Sequence, residues 1–133
     1  MPDLLVDTQV LLWWRTDSER LPKSQARLLS EAEERGEPVG ISAVTLWELA
    51  RMVGRGRLEV DQPLDTWLEE LERNPLVSIF PVSARIALES VRLGDGFHQD
   101  PAGQIIVATA RCHGLRLLTA DDRIIKWGKV RLG

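Results

Sequence analysis

Short apolar runs alternate along the chain with longer stretches in which apolar residues recur three and four positions apart. The runs are Leu4-Leu5-Val6, Val39-Gly40-Ile41, Val77-Ser78-Ile79-Phe80 and Leu115 to Leu118. None alternates cleanly between apolar and polar, as expected of strands covered on both faces. Val130 to Leu132 is a candidate final edge strand. Leu64, Trp67, Leu68 and Leu71 fall at i, i+3, i+4 and i+7, and so do Ala84, Ala87, Leu88 and Val91; that is helical spacing. Leu46, Leu49, Ala50 and Val53 repeat the stripe until Gly54 and Gly56 stop it, and Leu21, Leu28 and Ala32 mark an earlier helix closed by Gly36. Ile105, Ala108, Thr109 and Cys112 predict one face of a helix running from Pro101 to Gly114. Strands alternating with helices imply right-handed crossovers. The expected fold is an α/β three-layer sandwich, a short and mainly parallel sheet flanked by helices.

Composition narrows this further. The 133 residues carry no repeat, linker or low-complexity stretch, so residues 1–133 read as a single domain. Hydrophobic residues at 44% and charged residues at 28% exclude a disordered chain. The net charge of -3 excludes a general basic coat for nucleic acid, but not a local basic track or a metal-bridged phosphate site. The lone Cys112 excludes an intramolecular disulfide and points to reducing cytoplasm. Met1-Pro2-Asp3 is followed by only three apolar residues before Asp7, which does not resemble a signal peptide. No run approaches the roughly 18 apolar residues that span a bilayer. The expectation is a soluble, cytoplasmic domain.

Ligands of open parallel sheets gather outside the carboxyl ends of the strands. Here those ends are acidic or hydroxylic: Val6 leads into Asp7-Thr8, Ile41 into Ser42, and Leu118 into Thr119-Ala120-Asp121-Asp122. Asp100 precedes Pro101, and Glu48 lies inside the third helix. Helix capping accounts for several of these singly, since Asp and Thr are favoured N-caps and proline suits the first helical position. Glu48 resists that reading. It lies opposite the Leu46-Leu49-Ala50-Val53 stripe and shares its face with Val44, Arg51 and Arg55; Val44 implies partial burial, where a lone carboxylate is expensive. Two unit charges about 4 Å apart repel by about 4 kcal/mol at an effective dielectric near 20. Acids gathered from several strand ends therefore call for a hard divalent cation, with Mg²⁺ or Mn²⁺ suited to oxygen-only ligands. Neither His98, His113 nor Cys112 builds a zinc constellation.

Four segments then resemble the PIN-domain family in order and spacing: Leu5-Val6-Asp7-Thr8, Ile41 to Leu49, His98 to Ala110, and Leu117-Leu118-Thr119-Ala120-Asp121. They span nearly the whole chain and are most similar to VapC-type toxins of toxin–antitoxin pairs. The resemblance implies a metal-dependent endoribonuclease, commonly a dimer, in which Asp7, Glu48 and Asp121 hold Mg²⁺ or Mn²⁺ while Thr8, Ser42 and Thr119 support them. Asp100 matches the first acid of an Asp-Pro-x-Asp-Arg signature, and completes a catalytic and metal-binding set of Asp7, Glu48, Asp100 and Asp121. The implied partners are a cognate antitoxin and an RNA, with transfer or ribosomal RNA the family-level expectation, in a homodimer or a toxin–antitoxin hetero-oligomer.

The signature is incomplete. Its second acid falls on Gly103, and Gln104 replaces its arginine. A glycine there also costs the helix about 1 kcal/mol relative to alanine. Three explanations stand: Asp100 substitutes, the protein is naturally weak or inactive, or the glycine is a detoxifying substitution. The competing function is accordingly a PIN-fold module that binds antitoxin or RNA without cutting. A phosphoacceptor domain or a dehalogenase-like phosphatase lacks its acid pair, because Asp7 is followed by Thr8 and Gln9.

Arg51, Arg55 and Arg57 extend from the Glu48 helix. They read either as a track for RNA phosphates or as a solvated helix end favoured by the dipole. Of the tryptophans, Trp67 belongs to a core stripe and Trp47 is expected to pack against a neighbour. Trp13 and Trp14 cannot both face one core, so one is expected at a subunit or antitoxin interface. His98 is expected to steady its loop or touch substrate, and His113 to close a helix.

Overall fold

The structure, a computed structural model, describes residues 2–94, 96, 97 and 100–133. His98, expected to steady its loop or touch substrate, lies outside the described residues.

Strand β1 (Leu4–Val6) leads into helices α1 (Thr8–Arg15) and α2 (Lys23–Glu34). Strand β2 (Val39–Ser42) is followed by α3 (Ala43–Gly54) and α4 (Leu64–Arg73), and β3 (Val77–Phe80) by α5 (Ala84–Val91) and α6 (Pro101–His113). Strand β4 (Arg116–Leu118) and α7 (Asp122–Trp127) complete the order. The sheet runs β3-β2-β1-β4 with every pairing parallel. Leu5 stands opposite Gly40 on one side and Leu117 on the other. The candidate strand at Val130–Leu132 shrinks to one bridge between Leu132 and Leu117, because only the Arg131 carbonyl and the Gly133 amide reach the β4 backbone.

Both faces of the sheet are covered, which explains the missing alternation. Leu4, Val6, Ile41 and Leu118 pack with Val10, Leu11, Leu29 and Leu49, and Trp67, Leu68 and Leu71 of α4 close that core from outside. Leu5, Phe80 and Leu117 face the opposite way, toward Ile106, Val107 and Ala110 of α6 and Ile124 of α7. Helix α3 serves both layers, with Leu46 and Leu49 against the first core and Val44 against the second. Gly40 is dictated by close packing. A Cβ there would lie 2.7 Å from Phe80 Cε2 and 3.0 Å from the Leu4 carbonyl oxygen.

Three expected faces are corrected. Helix α5 buries Ile86 and Ser90, not the Ala84-Ala87-Leu88-Val91 stripe; Leu88 is 48% and Val91 78% exposed. Helix α5 packs on α6, and Leu93 just beyond it joins the core with Ile106 and Val107, so the opposite stripe is left outward. Helix α6 has no single buried face. Ala102, Gly103 and every residue from Ile106 to Ala110 are buried, because α5, α3 and the sheet surround it. Trp47 is 48% exposed and carries the Arg51 guanidinium 4.5 Å over its ring, where packing against a neighbour was expected. Trp14 is buried, donating from Nε1 to Glu33, while Trp13 is half-buried. No helix among the described residues is long and apolar enough to cross a membrane.

Candidate active site

The inner strand β1 leads into Asp7, which does two jobs. Its Oδ1 accepts from the Val10 amide at 2.8 Å and so caps α1, while its Oδ2 accepts from Thr119 Oγ1 at 2.5 Å. Thr119 follows the neighbouring strand β4, and its Oγ1 also accepts from the Asp121 amide at 3.0 Å. The Thr119 carbonyl in turn accepts from Gln25 Nε2 of α2 at 2.9 Å. Asp121 caps α7 through the Arg123 amide and forms an ion pair with the Arg123 guanidinium at 3.0 Å. The capping and cleft-lining roles of Asp7 and Asp121 therefore coexist in the same side chains.

From the other side of β1, Ser42 ends β2, accepts from the Val44 amide and caps α3. That helix carries Glu48 to the cleft one turn after Thr45. The Thr8 hydroxyl donates to Glu48 Oε1 and lies 3.1 Å from the fully buried Thr45 hydroxyl. With its single proton given to Glu48, Thr8 receives from Thr45. Asp100 stands at the head of α6 before Pro101 without a capping hydrogen bond. Gly103, in the first turn, is buried.

These elements enclose one open cleft lined by Asp7, Thr8, Glu48, Asp100, Gly103, Ile106, Asp121 and Ile124. The acids sense one another. Burial pushes the Asp7 carboxyl above its ordinary value of 3.8, and Asp121 adds repulsion against the relief given by Thr119 and Val10. Burial likewise raises Glu48 above 4.5, with Asp100 and Asp7 adding to it and the Thr8 bond opposing. The Arg123 guanidinium is held more firmly protonated by Asp121, with Asp100 contributing. Arg51, Arg55 and Arg57 line an adjoining depression together with Glu48 and Met52.

Among the described residues no three Asp, Glu, His or Cys side chains form a ready-made ion cage. The hydrogen bonds say why: Asp7 is turned to Val10 and Thr119, Glu48 to Thr8, and Asp121 to Arg123. Chemically the donor set still fits a hard divalent cation. It is all oxygen, it lies in one cleft, and burial makes the ionised forms of Asp7 and Glu48 costly, which a cation would offset. Gln25, Thr45 and Arg123 escaped the reading of the sequence. Signals existed for each. Thr45 stands at i−3 from Glu48, Arg123 at i+2 from Asp121, and Gln25 interrupts the apolar stripe of Leu21, Leu28 and Ala32.

A parallel sheet of this order, with acids converging at its carboxyl end, defines a small α/β protein with an acidic cleft at its strand ends. The PIN domain profile matches residues 4–130, and the chain belongs to that family. It is 31% identical over 124 residues to Ribonuclease VapC22 of Mycobacterium tuberculosis, covering 93% of this chain and 91% of that protein. Among solved structures it resembles a chain of VapBC2 from Rickettsia felis bound to a DNA fragment from the promoter, with a TM-score of 0.70 at 15% identity over 98% of this chain and 96% of that one. It also resembles a chain of FitAcB from Neisseria gonorrhoeae, with a TM-score of 0.67 at 24% identity over 97% and 95%. A toxin–antitoxin complex from Klebsiella pneumoniae matches with a TM-score of 0.55 at 28% identity over 89% and 86%.

Proposed function

We propose that this chain is an endoribonuclease toxin. With Mg²⁺ or Mn²⁺ held by Asp7, Glu48, Asp100 and Asp121, it hydrolyses RNA phosphodiesters, and a cognate antitoxin neutralises it in the cytoplasm. The carrying observation is the convergence of these four side chains, from four separate places in the fold, on one cleft. The likeness to a ribonuclease and to chains of toxin–antitoxin complexes supports the reading. The protein works as a homodimer or within a toxin–antitoxin hetero-oligomer, on transfer or ribosomal RNA.

A bound ion supplies countercharge and Lewis acidity at the phosphate. The remaining work falls to the chain. Thr119 and the Val10 amide aim Asp7, Thr8 aims Glu48, and Ser42 fixes the start of the helix that carries Glu48. Arg51, Arg55 and Arg57 hold flanking phosphates beside Glu48 through charge. Ile106 and Ile124 supply the apolar part of the cleft lining.

One observation favours a second reading. Gly103 lines the cleft without a side chain, so the protein acts instead as a module that binds antitoxin or RNA without cutting. RNA cleavage by the antitoxin-free protein with Mg²⁺ or Mn²⁺, beside Gly103→Asp and Glu48→Gln, separates the two. EDTA-sensitive cutting by the parent, lost in Glu48→Gln, supports the nuclease. Cutting by Gly103→Asp alone marks the parent as a disabled nuclease, as the second reading requires. No cutting by either across transfer, ribosomal and messenger RNA overturns the nuclease reading.

A further inference from the structure

Helix α2 contributes nothing to the cleft lining, yet it buries a glutamine. Gln25 is 8% exposed and shares the inward face of α2 with Leu29 and Ala32. Burying an amide is unfavourable unless its polar atoms are matched. Its Nε2 is matched, donating to the Thr119 carbonyl 94 residues away, while its Oε1 has no hydrogen-bond partner among the described residues. Docking of α2 does not require this amide, since Leu29 and Ala32 are fully packed and Trp14 bonds to Glu33. An apolar side chain at position 25 would serve docking without leaving an idle acceptor.

The bond acts on Thr119 instead. This residue lies just past the end of β4, and its hydroxyl both donates to Asp7 and accepts from the Asp121 amide. The tilt of the Thr119 peptide therefore sets how two carboxylates from different elements face each other. We infer that Gln25 is a positioning residue: by holding the Thr119 carbonyl it fixes the turn that orients Asp7 and Asp121 for a shared divalent cation. The inference deepens the proposed function and rests on it for the identity of the cation.

The test compares the full chain with Gln25→Met and Gln25→Leu, both apolar helix formers of similar size, so that one variant remains if the other does not fold. Mn²⁺ binding is measured by titration calorimetry. Amide hydrogen exchange and thermal melting are measured without metal. The expected result is Mn²⁺ affinity lowered by about 10- to 100-fold, as for other groups that orient metal ligands. Exchange at Thr119 to Asp121 becomes faster, while Leu29 and Ala32 exchange as in the parent and the melting temperature stays close to it. Parental Mn²⁺ affinity with parental exchange at the turn overturns the inference. So does faster exchange throughout α2 with a lowered melting temperature, which marks a docking role only. A parent chain that takes up no Mn²⁺ refutes the cation reading of the cleft, and exchange at the turn then decides the role of Gln25 alone.

Discussion

Replacing Thr8 with valine removes one hydroxyl from a chain that runs from Thr45 through Thr8 to Glu48. The side-chain shape is nearly kept, so the effect is polar. A hydrogen bond to a charged group contributes about 1.5–3 kcal/mol, and the half-buried setting of Glu48 places it near 1.5. Thr45 is fully buried and loses its partner, which costs about 1 kcal/mol more. The sum is about 2.5 kcal/mol, and at about 4 °C per kcal/mol for a domain of this size the melting temperature falls by about 10 °C. Urea denaturation in EDTA of Thr8→Val, Glu48→Leu and the double variant isolates the pair. The expected coupling energy is about 1.5 kcal/mol, against the few tenths found for independent sites. The direction at Glu48 is also set, because the Thr8 bond lowers its pKa and its removal lets the carboxyl rise further. Coupling under about 0.5 kcal/mol would refute the hydroxyl chain as a support of Glu48.

Other consequences are as direct. Gly40→Ala forces a Cβ against Phe80 and the Leu4 carbonyl, and overpacking of that kind costs about 1–3 kcal/mol; a urea midpoint equal to the parent's would contradict it. Because burial raises the Asp7 pKa above 3.8, the folded chain keeps a proton that the unfolded chain has released between those two values. Metal-free stability therefore falls as pH rises through that window; Asp7→Asn should flatten the slope, leaving the contribution of Glu48, and an unchanged slope in urea titrations across pH would refute it. Converting Arg51, Arg55 and Arg57 together to alanine should reduce the salt dependence of RNA binding by about two units of log–log slope, at about 0.7 per single-strand phosphate. Fluorescence anisotropy at several salt concentrations reads that slope, and a parental value assigns these arginines to the solvated helix end.

Strands were legible because burial on both faces writes unbroken apolar runs, and the acids at their ends sit next to those runs in sequence. Glu48 was legible for another reason, its place opposite an apolar stripe. Periodicity misled where packing was unusual. Helix α5 presents two plausible faces, and only the docking partner α6 selects Ile86 and Ser90 over Leu88 and Val91. Helix α6 is enclosed nearly all round, so of its Ile105-Ala108-Thr109-Cys112 stripe only Ala108 and Thr109 are buried, beside five residues outside the stripe. Thr45 and Gln25 were visible as polar residues on inward faces, but their partners are set by tertiary folding; the Gln25–Thr119 bond closes 94 residues of chain.

The double duty of Asp7 and Asp121 bears on how such a protein can lose its chemistry. Each carboxylate caps a helix as well as lining the cleft, so deleting either weakens the fold along with the site, by about 1 kcal/mol for a lost cap. Position 103 has no capping task. A change there can alter the cleft while the caps of α1 and α7 stay in place. Losing the chemistry at position 103 therefore leaves the caps of α1 and α7 in place and costs helix propensity alone, whereas losing it through Asp7 or Asp121 removes a cap along with a cleft carboxylate.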